Sequence, residues 1–239
     1  MSTKRRHWGQ ILYQAEGQVS GYEDFSMDVR DDGRTIRSYC EMAENDLTRD
    51  ASWTLDTAHK PVEGHVRVVQ NGSLAGSAWY RCSQAGTECE SLTPGMGRTS
   101  QKLAVSPSYL GLHPLVGDGL IALARGIDNA GEERMVESVT CSYDENGGTS
   151  LVALPIQIGV TFAGPEDITV QAGTFPSYHY ELNWQPQWPR AKLWVMQEDA
   201  VFLRLTWSHV SAQYDLAKYG VSNRAKSPQF DGLFLDDLI

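Results

Sequence analysis

His113 and Asp118 stand in the segment His113-Pro114-Leu115-Val116-Gly117-Asp118-Gly119, a polar pair inside an otherwise apolar and conformationally constrained stretch. An imidazole titrates near neutral pH, so His113 facing a cavity could move a proton, with Asp118 orienting the ring or stabilising its charged form. The architectural alternative is that His113 caps a turn and Asp118 initiates a helix at Gly119, a position Asp favours. His179 is the second candidate acid or base. It shares a strand face with Ser177 and Glu181, opposite Tyr178, Tyr180 and Leu182, and either face could be the interior. These three residues form the expected catalytic set.

Arg204 lies in an otherwise apolar strand, while Arg37, Tyr39 and Glu41 line one face of another. A buried Arg needs a carboxylate, which Glu41 or an acidic ligand could supply. Trp194 offers a large flat side chain to a concave face. Tyr39, Glu41, Trp194 and Arg204 are therefore the expected substrate-binding set, with an exposed polar stripe as the alternative for Tyr39, Glu41 and Arg204. No nucleophile elbow, phosphate loop, zinc-binding pair or dinucleotide fingerprint is present, and Gly95-Met96-Gly97 and Gly117-Asp118-Gly119 lack the preceding strand and third glycine. No cofactor is expected. The remaining histidines, with His7 and His59 in expected loops, show no metal-ligand spacing, so no metal is expected either.

The net charge of −10 repels nucleic-acid phosphates and anionic headgroups, which excludes nucleic acid and a membrane surface as expected partners. Lys4-Arg5-Arg6 reads as a solvated, frayed terminus. No apolar export segment follows it and no window approaches a membrane span, so a cytoplasmic location is expected. There Cys40, Cys82, Cys89 and Cys141 are expected to be buried thiols. The aromatic content suits pleated sheets and also pockets for apolar small molecules, the expected partner, with a homodimer left open.

The elements that must position these residues are strands. Apolar and polar residues alternate through Gln10 to Val19, Tyr22 to Arg30 and Thr35 to Met42, with Asp31-Asp32-Gly33-Arg34 as a hairpin turn between the last two. Asn71-Gly72 is the strongest hairpin signal, joining His65–Val69 to Leu74–Cys82. Ala85 to Thr99 reads as a loop. Ser106-Pro107 introduces a helical plug over 106–124 that Pro114 and Gly117 bend or split into short turns. Strands resume over Arg134–Tyr143, Leu151–Val160, Ile168–Val170, Ser177–Trp184, Lys192–Gln197, Phe202–Ser208 and Gln213–Tyr219, and 222–239 reads as a tail. The expected fold is all-β: one domain over 1–239, a strongly curved antiparallel sheet or incomplete barrel around the plug.

Glu166-Asp167-Ile168-Thr169-Val170-Gln171-Ala172-Gly173-Thr174-Phe175, followed by Lys192-Leu193-Trp194-Val195 and Phe202-Leu203-Arg204-Leu205, resembles a pattern in bacterial proteins of unassigned function. Those proteins are similar in fold to the lipoprotein carriers of the bacterial envelope. The resemblance, over the last third of the chain, implies an incomplete barrel wrapped around a helical plug with an apolar interior. Together with the histidines it leads to the expected function: a cofactor-independent lyase, isomerase or hydrolase acting by acid/base catalysis on an apolar small molecule. The alternative is a non-catalytic binder or carrier of a lipophilic molecule, and a third reading is a structural subunit.

Overall fold

Period-two alternation carries almost the whole chain into extended structure, because each strand can bury one face only if its neighbours curl around the same interior. The computed structural model describes residues 4–43 and 46–224. Eight strands come first: β1 (Lys4–Ala15), β2 (Gln18–Arg30), β3 (Gly33–Met42), β4 (Leu47–Leu55), β5 (Pro61–Gln70), β6 (Ser73–Ser83), β7 (Gly86–Thr93) and β8 (Gly97–Leu103). The short strand β9 (Tyr109–Gly111) leads into helices α1 (Leu115–Asp118) and α2 (Ile121–Arg125). A second meander follows, through β10 (Glu133–Thr140), β11 (Leu154–Val170), β12 (Gly173–Asn183), β13 (Ala191–Met196), β14 (Phe202–Trp207) and β15 (Ala212–Arg224).

All these strands form one unclosed sheet, β8-β7-β6-β5-β4-β3-β2-β1-β15-β14-β13-β12-β11-β10-β9. The two meanders are joined where β1 pairs with β15, from Lys4↔Arg224 to Ala15↔Ala212. Every pairing is antiparallel except β9 with β10, which is parallel and makes the sheet mixed. Asn71 and Gly72 both take positive φ at the β5–β6 turn, as the expected Asn-Gly hairpin requires.

The helical segment fills the concave side and touches both meanders. Leu112, Val116 and Ile121 are fully buried. Trp53 of β4 donates its indole N–H to the Leu110 carbonyl at 3.0 Å, and Arg125 of α2 donates to the Val160 carbonyl of β11 at 3.0 Å. Between the open edges, the segment before β11 lies across the first meander. Tyr80 Oη donates to the Val152 carbonyl at 3.1 Å, and Gln101 of β8 exchanges two hydrogen bonds with Ala153 at 2.8 and 3.3 Å.

Several expectations are corrected. Ala85–Thr99 is not a loop but holds all of β7 and the start of β8; the inward face of β7 is Thr87, Cys89, Ser91 and Thr93, small and mostly polar, so no apolar alternation marks it. Helix does not begin at Ser106-Pro107. β9 comes first, and α1 starts after Pro114, whose extended backbone (ψ 140°) ends the preceding segment. The expected strands Leu151–Val160 and Ile168–Val170 merge into one, β11, which begins at Leu154 and leaves Leu151–Ala153 outside it. It passes through Pro165 because β10 pairing stops at Thr161, leaving an edge where a missing N–H breaks no ladder. Residues 4–6 are strand rather than a frayed end, with Arg6 holding Asp28 through two 2.7 Å bonds and Arg5 holding Asp199 at 3.0 Å. His7 lies in that strand too, bonded to Tyr219 and Asp199. Of the expected tail, 222–224 belong to β15 and the rest lies outside the described residues. Among the described residues no helix is long and apolar enough to cross a membrane.

Candidate ligand cavity

A cavity of about 120 Å³ opens beside the plug. The plug contributes Tyr109, His113, Leu115 and Asp118, β11 contributes Ile156 and Ile158, and Leu205 comes from β14. Trp184, Trp188 and Trp207 supply indoles from the β12–β13 connection and the end of β14. Trp188 packs edge-on against Trp207 at 5.3 Å, and Trp207 donates its indole N–H to the Pro189 carbonyl at 2.8 Å, which anchors this aromatic wall.

Polar groups gather on the plug side. Glu23, on the inward face of β2 with Phe25 and Met27, is fully buried. It accepts four hydrogen bonds: from Tyr13 Oη (2.9 Å), Ser38 Oγ (2.9 Å) and the Leu115 and Val116 amides (2.7 and 3.1 Å). The last two are free N–H groups of the first turn of α1, so Glu23 caps the plug helix from the sheet. Burial raises its pKa, against the pull of those four donors.

Asp118 accepts from Tyr109 Oη at 2.9 Å. Burial pushes its carboxyl up to about 8, so the protonated form persists near neutral pH. His113 moves the other way. Burial, aided by the Arg49 charge, pushes it down to about 4, so the ring is neutral. Its Nε2 lies 3.2 Å from the Ser142 carbonyl, an acceptor only, so Nε2 carries the proton. His113 takes a left-handed backbone (φ 75°) and is pressed against Gly147, where an added Cβ would come 2.3 Å from the ring. Both residues keep part of their surface, and both line the cavity.

Asp118 does not orient His113 through a hydrogen bond: each has its own partner, and Asp118 closes α1 rather than opening the next helix, whose N-cap is Leu120. The second expected acid/base, His179, lies off this cavity. It stacks on Trp194 (4.5 Å, 8°), its Nδ1 is 3.2 Å from Glu166 Oε1, and Trp194 donates to the same carboxylate. The interior face of β12 is the one carrying Tyr180 and Leu182, fully buried, so His179 is on the other. Arg204 is paired bidentately with Asp215 on β15, Glu41 accepts from Tyr22 Oη at 3.1 Å, and Tyr39 is 36% exposed. None of Tyr39, Glu41, Trp194 and Arg204 lines the cavity, because period two turns them away from the residues that do.

The cavity residues not anticipated include Tyr13, Arg49, Tyr109 and the three tryptophans. A signal existed for Arg49. It shares the inward face of β4 with Leu47, Ala51 and Trp53, so it is the one charge in an apolar row. Glu23 on β2 shows the same pattern. Among the described residues no group of three or more His, Cys, Asp or Glu side chains is placed to hold a metal ion.

No protein-family model matches the sequence, and no curated protein matches it. Solved structures do share the fold. A β-barrel-like protein of the domain of unknown function DUF1849 from Brucella abortus superposes with a TM-score of 0.51 at 8% identity, over 93% of this chain and 98% of that one. A DUF1089 family protein from Pseudomonas aeruginosa gives 0.50 at 12% identity, over 79% of this chain and 90% of that one. At such identities the likeness is one of fold.

Proposed function

We propose that this protein binds an apolar small molecule in the cavity beside the plug. The observation that carries the reading is a cavity of about 120 Å³ walled on one side by Trp184, Trp188 and Trp207 with Ile156, Ile158 and Leu205, and on the other by a few polar groups that can fix orientation. Engineered apolar cavities of roughly 150 Å³ accept benzene, so this volume holds a small ring or the end of a longer chain. The indoles provide the assay. Titration with hexanol should change the tryptophan fluorescence saturably, and Leu205→Trp, which fills the cavity, should abolish the change. An unsaturable response, or one that Leu205→Trp leaves intact, refutes the reading.

Turnover of the bound molecule by a lyase, isomerase or hydrolase step is the second reading. What favours it is Asp118, a carboxylic acid held protonated near neutral pH on the cavity wall and so able to donate a proton. His113 suits that role less, since its one N–H is spent on Ser142 and burial keeps its ring neutral.

A further inference from the structure

Arg49 is 2% exposed and lines the cavity, yet its hydrogen bonding is incomplete. One terminal nitrogen is 3.9 Å from the Cys40 thiol, the other donates to the Asn146 carbonyl, and Nε has no partner. Neither acceptor is charged, and among the described residues no carboxylate lies within ion-pair distance of it. The protein shows what a purely structural buried arginine looks like. Arg125 directs its guanidinium at the carbonyls of Val160, Asp128, Asn129 and Glu132 at 2.8 to 3.1 Å, with a longer bond to Gly126. Arg49, by contrast, brings a permanent charge into the interior and leaves a donor unused, an expensive arrangement unless an anion completes it.

We infer that the cavity takes an apolar monocarboxylate, its carboxylate received by the guanidinium of Arg49 and its body lying against Trp184, Trp188 and Trp207. The inference rests on the proposed binding function. The acidic side chains nearby do not fill the role. Glu23 already accepts four donors, Asp118 is engaged with Tyr109, and Asp144 accepts from Thr149. Glu145 lines the cavity but is exposed on the loop at its mouth. A monoanion fits better than a phosphate ester. A second negative charge would meet Glu23 and the mouth acids without further cations to offset it.

Calorimetric titrations with hexanoate, hexanol and hexyl phosphate at pH 7, on the wild type and on Arg49→Met and Arg49→Lys, test this. The wild type should bind hexanoate at least about tenfold tighter than hexanol, about 1.4 kcal/mol, and tighter than hexyl phosphate. Arg49→Met should lose the preference for the acid over the alcohol, while Arg49→Lys keeps part of it. Equal binding of acid and alcohol by the wild type, or a preference that survives in Arg49→Met, overturns the assignment of Arg49 and leaves the binding function standing. Tightest binding of hexyl phosphate overturns the carboxylate. If none of the three binds, the binding function itself falls. Should Arg49→Met not fold, the wild-type acid-to-alcohol ratio and its reduction in Arg49→Lys decide.

Discussion

Asp118 and His113 titrate in opposite directions on one cavity wall, so their effects on stability occupy different pH windows. Asp118 rises from its ordinary 3.8 to about 8 in the folded protein. Between those values the native state holds a proton that the unfolded chain has released, so the Asp118 contribution to stability falls as pH rises through the window. His113 drops from its ordinary 6.5 to about 4. Between those values the unfolded chain holds the extra proton, and the His113 contribution is lost as pH falls. The two slopes oppose one another from about pH 4 to 6.5, and above 6.5 only Asp118 acts. One proton corresponds to about 1.4 kcal/mol per pH unit. From pH 6.5 to 8 the wild type should therefore lose at most about 2 kcal/mol relative to Asp118→Asn, less where solvent enters the cavity. The Asn side chain can still accept from Tyr109, so the substitution removes the titration and keeps the contact. Urea unfolding of both proteins at pH 5, 6.5 and 8 measures it, and buried Glu23, which titrates in both, cancels in the difference. Parallel stability profiles for the two proteins would refute the placement of a protonated carboxyl in this wall.

Two further perturbations test the packing that builds the cavity. A Cβ on Gly117 would lie 2.6 Å from Trp53 Cζ2, and the Trp53 indole is held by its bond to Leu110. Gly117→Ala should destabilise by about 1 to 3 kcal/mol of overpacking, lessened by up to about 1 kcal/mol of helix propensity; a stability gain in chemical denaturation would show that Trp53 yields. The thiols of Cys40, Cys82 and Cys89 are pushed up to about 11 and that of Cys141 to about 12, chiefly by burial. A thiol-reactive disulfide reagent at pH 8 should leave all four untouched until denaturant is added, and rapid labelling of the native protein would contradict their burial.

The candidate site was only partly legible in the residues. The plug segment stood out because a histidine, an aspartate, a proline and two glycines interrupt a run of strands, and it does bring His113 and Asp118 to one cavity. That each would bond to another partner was not legible, since Tyr109 and Ser142, which take the two groups, are brought to them only after β9 and β10 have paired. The outward set of Tyr39, Glu41, Trp194 and Arg204 shows the limit of alternation as a guide: period two says which residues share a face and is silent on which face is inside.

Local chemistry alone determined the strands with apolar alternation, the Asn71-Gly72 and Asp31-Asp32-Gly33 turns, the broken plug and the all-β class, because each depends on neighbours within a few residues. Only the tertiary structure decided what occupies the interior. Glu23 meets the α1 amides 92 and 93 residues away, and Arg49 meets Asn146 across 97. Such contacts exist only once the β1–β15 pairing has joined the two meanders around the plug. A charge on an apolar strand face is visible in the sequence, but whether it finds a partner or is left waiting for a ligand depends on what the curvature of the sheet brings opposite to it.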